Sequence, residues 1–265
     1  MRMLTAAAVF LLALPAQVCA WAQLDTAEIV RRSVEANQRN YAALPRFNYL
    51  KVERVPDGST RTYDELMLYG SRYSRLIAIN GGPLSSDRQQ EEQRRLDEVI
   101  RRRSAESAAE RAKRVRIYEQ ERARDQLLLN EMAKAFDFTL VGEERLGSWD
   151  AYVLKATPRR GYKAPDMRAR VLTGMVGTLW IEKSSLQWVR VEAEVIRPVS
   201  IQGFLAKVQP GTKFRLDQEP VAEGLWLPTH YSMTARARVL FFFSRNSDEE
   251  ENYSAYRPAE ITPNG

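Results

Sequence analysis

The plainest pattern in this chain is an alternation near its end. Leu227, Tyr231, Met233, Ala235, Ala237, Val239 and Phe241 are interleaved with His230, Ser232, Thr234, Arg236 and Arg238. Side chains two apart share one face of a strand, so the stretch predicts one apolar and one wet face. It runs longer than an average strand, which favours a large curved antiparallel sheet over a small sandwich. Further strand-like runs are Phe47 to Val55, Thr60 to Tyr69, Tyr73 to Ile79, Phe138 to Val141, Ala151 to Ala156, Gly177 to Glu182, Gln187 to Ile196 and Lys213 to Asp217. Pro56-Asp57-Gly58-Ser59 reads as a hairpin turn, because Pro presets one turn dihedral and Gly tolerates a positive φ. The acidic run Asp248 to Glu251 is expected as a solvated turn before a last strand at Tyr253 to Tyr256.

Two segments carry helical spacing instead. Asp25 and Glu28 stand at capping-box distance, Ile29, Val30, Val34 and Tyr41 supply an apolar stripe, and Leu44-Pro45 ends the helix. Ser86 and Gln89 form a second such pair, ahead of a stretch from Asp87 to Phe136 without proline or glycine. There Glu91, Asp97, Glu98 and Glu110 each precede an arginine by four residues, at Arg95, Arg101, Arg102 and Arg114. The insertion at about 85–136 is therefore helical, as one helix or two. Its end, with Leu127, Leu128, Leu129, Met132 and Phe136, is apolar enough to dock, and its middle is expected to protrude into solvent.

The first residues form a third pattern. Arg2 precedes an uncharged apolar run from Leu4 to Leu14, too short to span a bilayer and shaped like the core of a secretory signal peptide. Cleavage after Ala22 is expected, with cleavage after Ala20 as the alternative. Val18, before Cys19, is larger than lipidation of that cysteine would favour. The chain thus divides into a signal peptide, 1–22, and a single domain, 23–265. Cys19 is the only cysteine, so the mature chain has no thiol for disulfide, nucleophile or metal. Export without cysteines points to a periplasm, an extracellular location being the alternative. The formal charge of +6 falls to +5 without Arg2, which permits peripheral contact with an anionic membrane without requiring it.

Catalytic chemistry finds little to work with. His230 is the only histidine, there is no Gly-x-Ser-x-Gly elbow, and no Asp-rich calcium loop occurs. Glu192 and Glu194 share a strand face about 7 Å apart by strand geometry, and read as a solvated face rather than a glycosidase pair. No enzyme activity, cofactor or metal is expected. Arg101, Arg102, Arg103, Arg111, Lys113 and Arg114 are the candidates for a partner protein or an anionic surface, with acids interleaved. Export argues against nucleic acid. The aromatic set Phe47, Tyr49, Trp180, Trp188, Trp226 and Phe241, with Tyr231 and Met233, is the candidate lining of an apolar cavity, ordinary core being the alternative.

The strand-and-turn Gly177-Thr178-Leu179-Trp180-Ile181-Glu182-Lys183 and the strand start Trp226-Leu227-Pro228, with a leader, an N-terminal helix and many strands, resemble the lipoprotein-carrier family of LolA, LolB and the RseB N-terminal domain. The resemblance implies an α+β fold, a half-open β-barrel with an N-terminal helix and, here, a long charged helical insertion. It also implies a non-enzymatic protein that binds, carries or senses a lipid or the acyl chain of a lipoprotein. The alternative is an envelope scaffold or protein-interaction module that uses the charged insertion. The insertion is longer than the family's lid helices.

Overall fold

The computed structural model describes residues 25–201, 206–239 and 243–259. Residues 1–24, which include the expected signal peptide, and Phe241 lie outside them. Helix α1 (Thr26–Ala43) leads into strands β1 (Phe47–Arg54), β2 (Thr60–Leu68), β3 (Ser71–Ile79) and the two-residue β4 (Gly82–Pro83). Two helices follow, α2 (Ser86–Ser104) and α3 (Ala108–Ala135). The chain then forms β5 (Phe136–Leu146), β6 (Trp149–Pro158), β7 (Met175–Glu182), β8 (Trp188–Val195), the short β9 (Val199–Ser200) and β10 (Ala206–Val208), β11 (Lys213–Ala222), β12 (Leu225–Val239) and β13 (Phe243–Pro258).

All these strands join one antiparallel sheet with the order β4-β3-β2-β1-β13-β12-β11-β8-β7-β6-β5, and β9 and β10 attach beside β12. The sheet does not close, since β4 and β5 stand at opposite edges. The α2–α3 hairpin connects those two edges in sequence. Helices α1 and α3 cover the inner face of β5 to β8, where Ile29, Val30, Val34 and Ala135 pack with Leu154, Leu179, Ile181, Trp188, Val191 and Val195. Burying such side chains contributes about 1.5–3 kcal/mol each, so this contact holds both helices to the sheet.

Several local expectations change. The Asp25 side chain makes no capping bond, and Glu28 turns to Arg31 at 2.6 Å. Ser86 lies inside α2, while Gln89 Nε2 donates to Leu84 O. The capping box that does form is Ser107 with Glu110, at the break between the two helices. Glu110 is taken up there, so Arg114 pairs with Glu106 instead. The acidic run Asp248 to Glu251 is not a turn but part of β13, because its neighbours supply cations: Arg236 to Asp248, Arg54 to Glu250 and Lys51 to Glu251.

The middle of the insertion does not protrude. Arg103 is only 8% exposed, and its guanidinium donates to the carbonyls of Leu68, Ser71 and Arg72. Arg114 reaches Tyr69 O and Ser71 Oγ at 3.0 and 2.6 Å. Tyr69 and Gly70 both have positive φ, 49° and 84°. A two-residue turn of this kind presents its carbonyls outward as acceptors.

Candidate binding surface on the inner face

Cross-strand register assigns each side chain to a face. The row Leu154, Leu179, Val191, Leu216, Tyr231 runs across β6, β7, β8, β11 and β12 on the side that carries the helices. Its first three members are buried under α1 and α3, whereas Leu216 and Tyr231 are half-buried. The adjacent row carries Ala193, Phe214 and Met233. Phe214 and Tyr231 meet edge to face at 5.6 Å, and the Tyr231 hydroxyl lies 3.6 Å from Met233 Sδ. The inner face thus continues past the helices as an apolar strip of Phe214, Leu216, Tyr231 and Met233. Beyond it Tyr49 packs against Tyr253 and Tyr256 at 5.9 and 5.2 Å, and Phe47 meets Tyr256 at 6.5 Å. Burial pushes the phenols of Tyr49, Tyr253 and Tyr256 above their ordinary range.

The other aromatic candidates lie elsewhere. Trp180 is on the outer face, where its indole donates to Glu144 and Arg190 lies over its ring. Trp226 packs with Trp149 at 4.8 Å in a small cluster with Ala151 and Val189. Trp188 is 1% exposed in the main core and donates to Ser33 Oγ of α1. Trp180 pairs with Arg190 but Ile181 pairs with Trp188, so Val189 is an extra residue that turns Trp188 inward. Simple alternation would have put Trp188 on the same face as Arg190.

The cationic candidates are likewise divided. Arg101, Arg102 and Lys113 are exposed, Arg111 lies over the Tyr69 ring at 5.6 Å, and Arg103 and Arg114 are spent on the β2–β3 turn. They do not form one basic surface. The outer face carries a shallow cleft of about 610 Å3 lined by Lys155, Thr178, Glu192, Glu194, Lys213 and Arg215. Glu192 faces Arg215 at 3.8 Å, and Lys155 donates to Thr178, a charge-matched surface in which the two glutamates have cationic neighbours. His230 Nδ1 meets Asn252 Oδ1 across the β12–β13 pair. Among the described residues no group of three His, Cys, Asp or Glu side chains could hold a metal ion, and no helix is long and apolar enough to cross a membrane.

Sequence reasoning missed the polar seam that holds α1. Ser33, Asn37 and Asn40 are all buried. Asn37 donates to Gln218 Oε1 at 3.1 Å, and Asn40 to Gln187 Oε1 at 2.7 Å. It also missed Glu65, 1% exposed on β2. Its signal was present, since Glu65 sits between Tyr63 and Met67 in the inward alternation of that strand.

An open antiparallel sheet with one helix ahead of it and a helical hairpin joining its two edges makes this an α+β half-barrel. The chain is similar along most of its length to three solved structures. One is an outer membrane lipoprotein-sorting protein domain from Vibrio parahaemolyticus, at 9% identity and TM-score 0.33, covering 88% of this chain and 94% of that one. Another is a LolA superfamily protein from Nitrosomonas europaea, at 12% identity and TM-score 0.35, covering 91% and 96%. A DUF1329 family protein from Desulfovibrio piger matches at 13% identity and TM-score 0.29, covering 88% and 93%. No family model and no curated protein matches the chain.

Proposed function

We propose that this is a non-enzymatic binding protein of the cell envelope that carries or senses an apolar ligand, a lipid or the acyl chain of an acylated protein. The observation that carries the reading is the strip Phe214, Leu216, Tyr231 and Met233, an apolar continuation of the core that the helices leave half-covered. An extended chain laid there gains by nondirectional burial, and in this reading the α2–α3 hairpin, which packs on β3 and β5, serves as its cover. The leader motif supports a periplasmic location. Titration of the purified protein with a fluorescent fatty-acyl probe tests the reading. Saturable uptake is expected, and Met233→Glu, at a half-buried position, is expected to weaken it at least about tenfold, the scale of placing a charge against an apolar chain. No uptake by the folded wild type overturns the proposal.

A second reading draws on α2. Outside Leu96 and Arg103 its surface is largely exposed and charged, which suits an interaction module for an envelope protein. Charge reversal at Arg101 and Arg102 would then abolish capture of that partner and leave acyl binding intact.

A further inference from the structure

Two of the five exposed large apolar side chains among the described residues, Met167 at 48% and Ile196 at 56%, lie at one end of the sheet. The link from β6 to β7 passes there, and its 3-10 segment Ala169–Gly174 runs beside the link from β8 to β9. Ile196 N donates to Gly174 O at 2.9 Å, and the Arg197 guanidinium donates to Thr173 O. A Cβ on Gly174 would stand 2.9 Å from Arg197 O and closer still to Val199, so glycine lets the two links meet. Met167 and Ile196 therefore flank one short segment, six residues of 3-10 rise or about 12 Å long.

The charge around them is of one sign. Between Pro158 and Gly174 the chain carries five cations, Arg159, Arg160, Lys163, Arg168 and Arg170, against the single acid Asp166. All five cations are exposed. Arg159 pairs with Asp137 at 2.8 Å, and Asp166 is turned back to accept from the backbone of Ala169 at 2.8 Å. The other four have no acidic partner among the described residues, unlike Arg95 of α2, which pairs with Glu91 and Glu92. A soluble polyanion would answer the charge alone. An anionic bilayer answers the charge with its phosphates and the apolar tips with its headgroup region.

We propose that this end of the molecule is a docking surface for a membrane rich in anionic phospholipid. It borders the inner face beyond Phe214 and Met233, because Met175 and Val195 lie one row past Gly177, Ala193 and Phe214. A docked molecule thus turns that end of the apolar strip toward the bilayer. The docking rests on its own observations and holds whether or not the strip takes an acyl chain.

Co-sedimentation with large unilamellar vesicles tests this, using the chain from Gln23 onward, which holds every described element. Vesicles of phosphatidylcholine and phosphatidylglycerol in equal parts are expected to take the protein down, and pure phosphatidylcholine vesicles to leave it in solution. Arg168→Gln with Arg170→Gln should weaken binding about thirtyfold, the scale of two basic side chains at an anionic surface. Met167→Gln should weaken it about fivefold through lost apolar insertion. Arg101→Gln with Arg102→Gln removes as many charges from α2 and should change it little. Each of these side chains is exposed, so the fold tolerates the exchanges. No binding to the anionic vesicles, or an equal loss in the α2 variant, overturns the docking surface. An affinity unchanged by Met167→Gln marks a site for a soluble polyanion instead and overturns the membrane assignment. The fatty-acyl titration tests the apolar-ligand reading separately.

Discussion

Asn40 shows how single side chains set the position of α1. Its amide nitrogen donates to Gln187 Oε1, and its oxygen accepts from the backbone of Trp226 at 3.4 Å, so one residue ties the helix to two strands. Asn40→Ala leaves the Gln187 carbonyl group buried without that donor, and is expected to cost about 2 kcal/mol, read as a lowered urea midpoint. Ser33, Asn37 and Asn40 recur at the four- and three-residue steps of a helix face, so the seam was legible as spacing. It was passed over because helical periodicity is searched with apolar residues, and this stripe is polar. Trp188 was not legible in the same way. Its inward direction depends on the extra residue Val189, and nothing in a run of tryptophan, valine and arginine marks a bulge.

Among the elements, most strands were read closely because each has a local cause, as with the Pro56-Asp57-Gly58 turn that joins β1 to β2, whereas the acidic run Asp248 to Glu251 was read as a turn because the cations that pair with it come from other strands. The division of the insertion into α2 and α3 was less evident, since neither glycine nor proline marks it. Ser107 and Glu110 carried the signal at capping-box spacing, amid many other acids. What the sequence could not convey is that a charged helix can be fastened by its arginines to backbone carbonyls across the fold. Arg103 serves that purpose, and desolvation lowers its pKa from the ordinary value without removing its charge at neutral pH. Arg103→Met removes the donor from the carbonyls of Leu68, Ser71 and Arg72 and should destabilise the protein by about 2–3 kcal/mol. Hydrogen exchange should localise the loss, with faster exchange across α2 and the first turns of α3 and little change in β6 to β8.

For the molecule as a whole, stability against pH follows from its shifted groups. Burial raises the pKa of Asp217, but hydrogen bonds and attraction from Arg215 and Arg190 outweigh it and hold the carboxylate below its ordinary value. Glu182 is lowered likewise, the donors of Ser184 and Ser185 outweighing burial. Groups lowered in the folded state stabilise above their unfolded pKa and lose that contribution as pH falls through the folded one. Tyr49, Tyr253 and Tyr256 are raised, chiefly by burial, so their contribution is complete below the phenol's ordinary pKa and lost as pH rises through the folded values. Denaturation midpoints should therefore be level from about pH 5 to about pH 9 and fall on both sides, the alkaline fall accompanied by tyrosinate absorbance.

The pairing of β1 with β13 has a consequence in time. Phe47 lies opposite Pro258 and Arg54 opposite Glu250, so the wing formed by β1 to β4 joins the rest of the sheet only through the final strand. Bringing together ends that far apart makes folding slow and keeps intermediates exposed. Until its last sixteen-residue strand is available, the chain cannot complete its sheet.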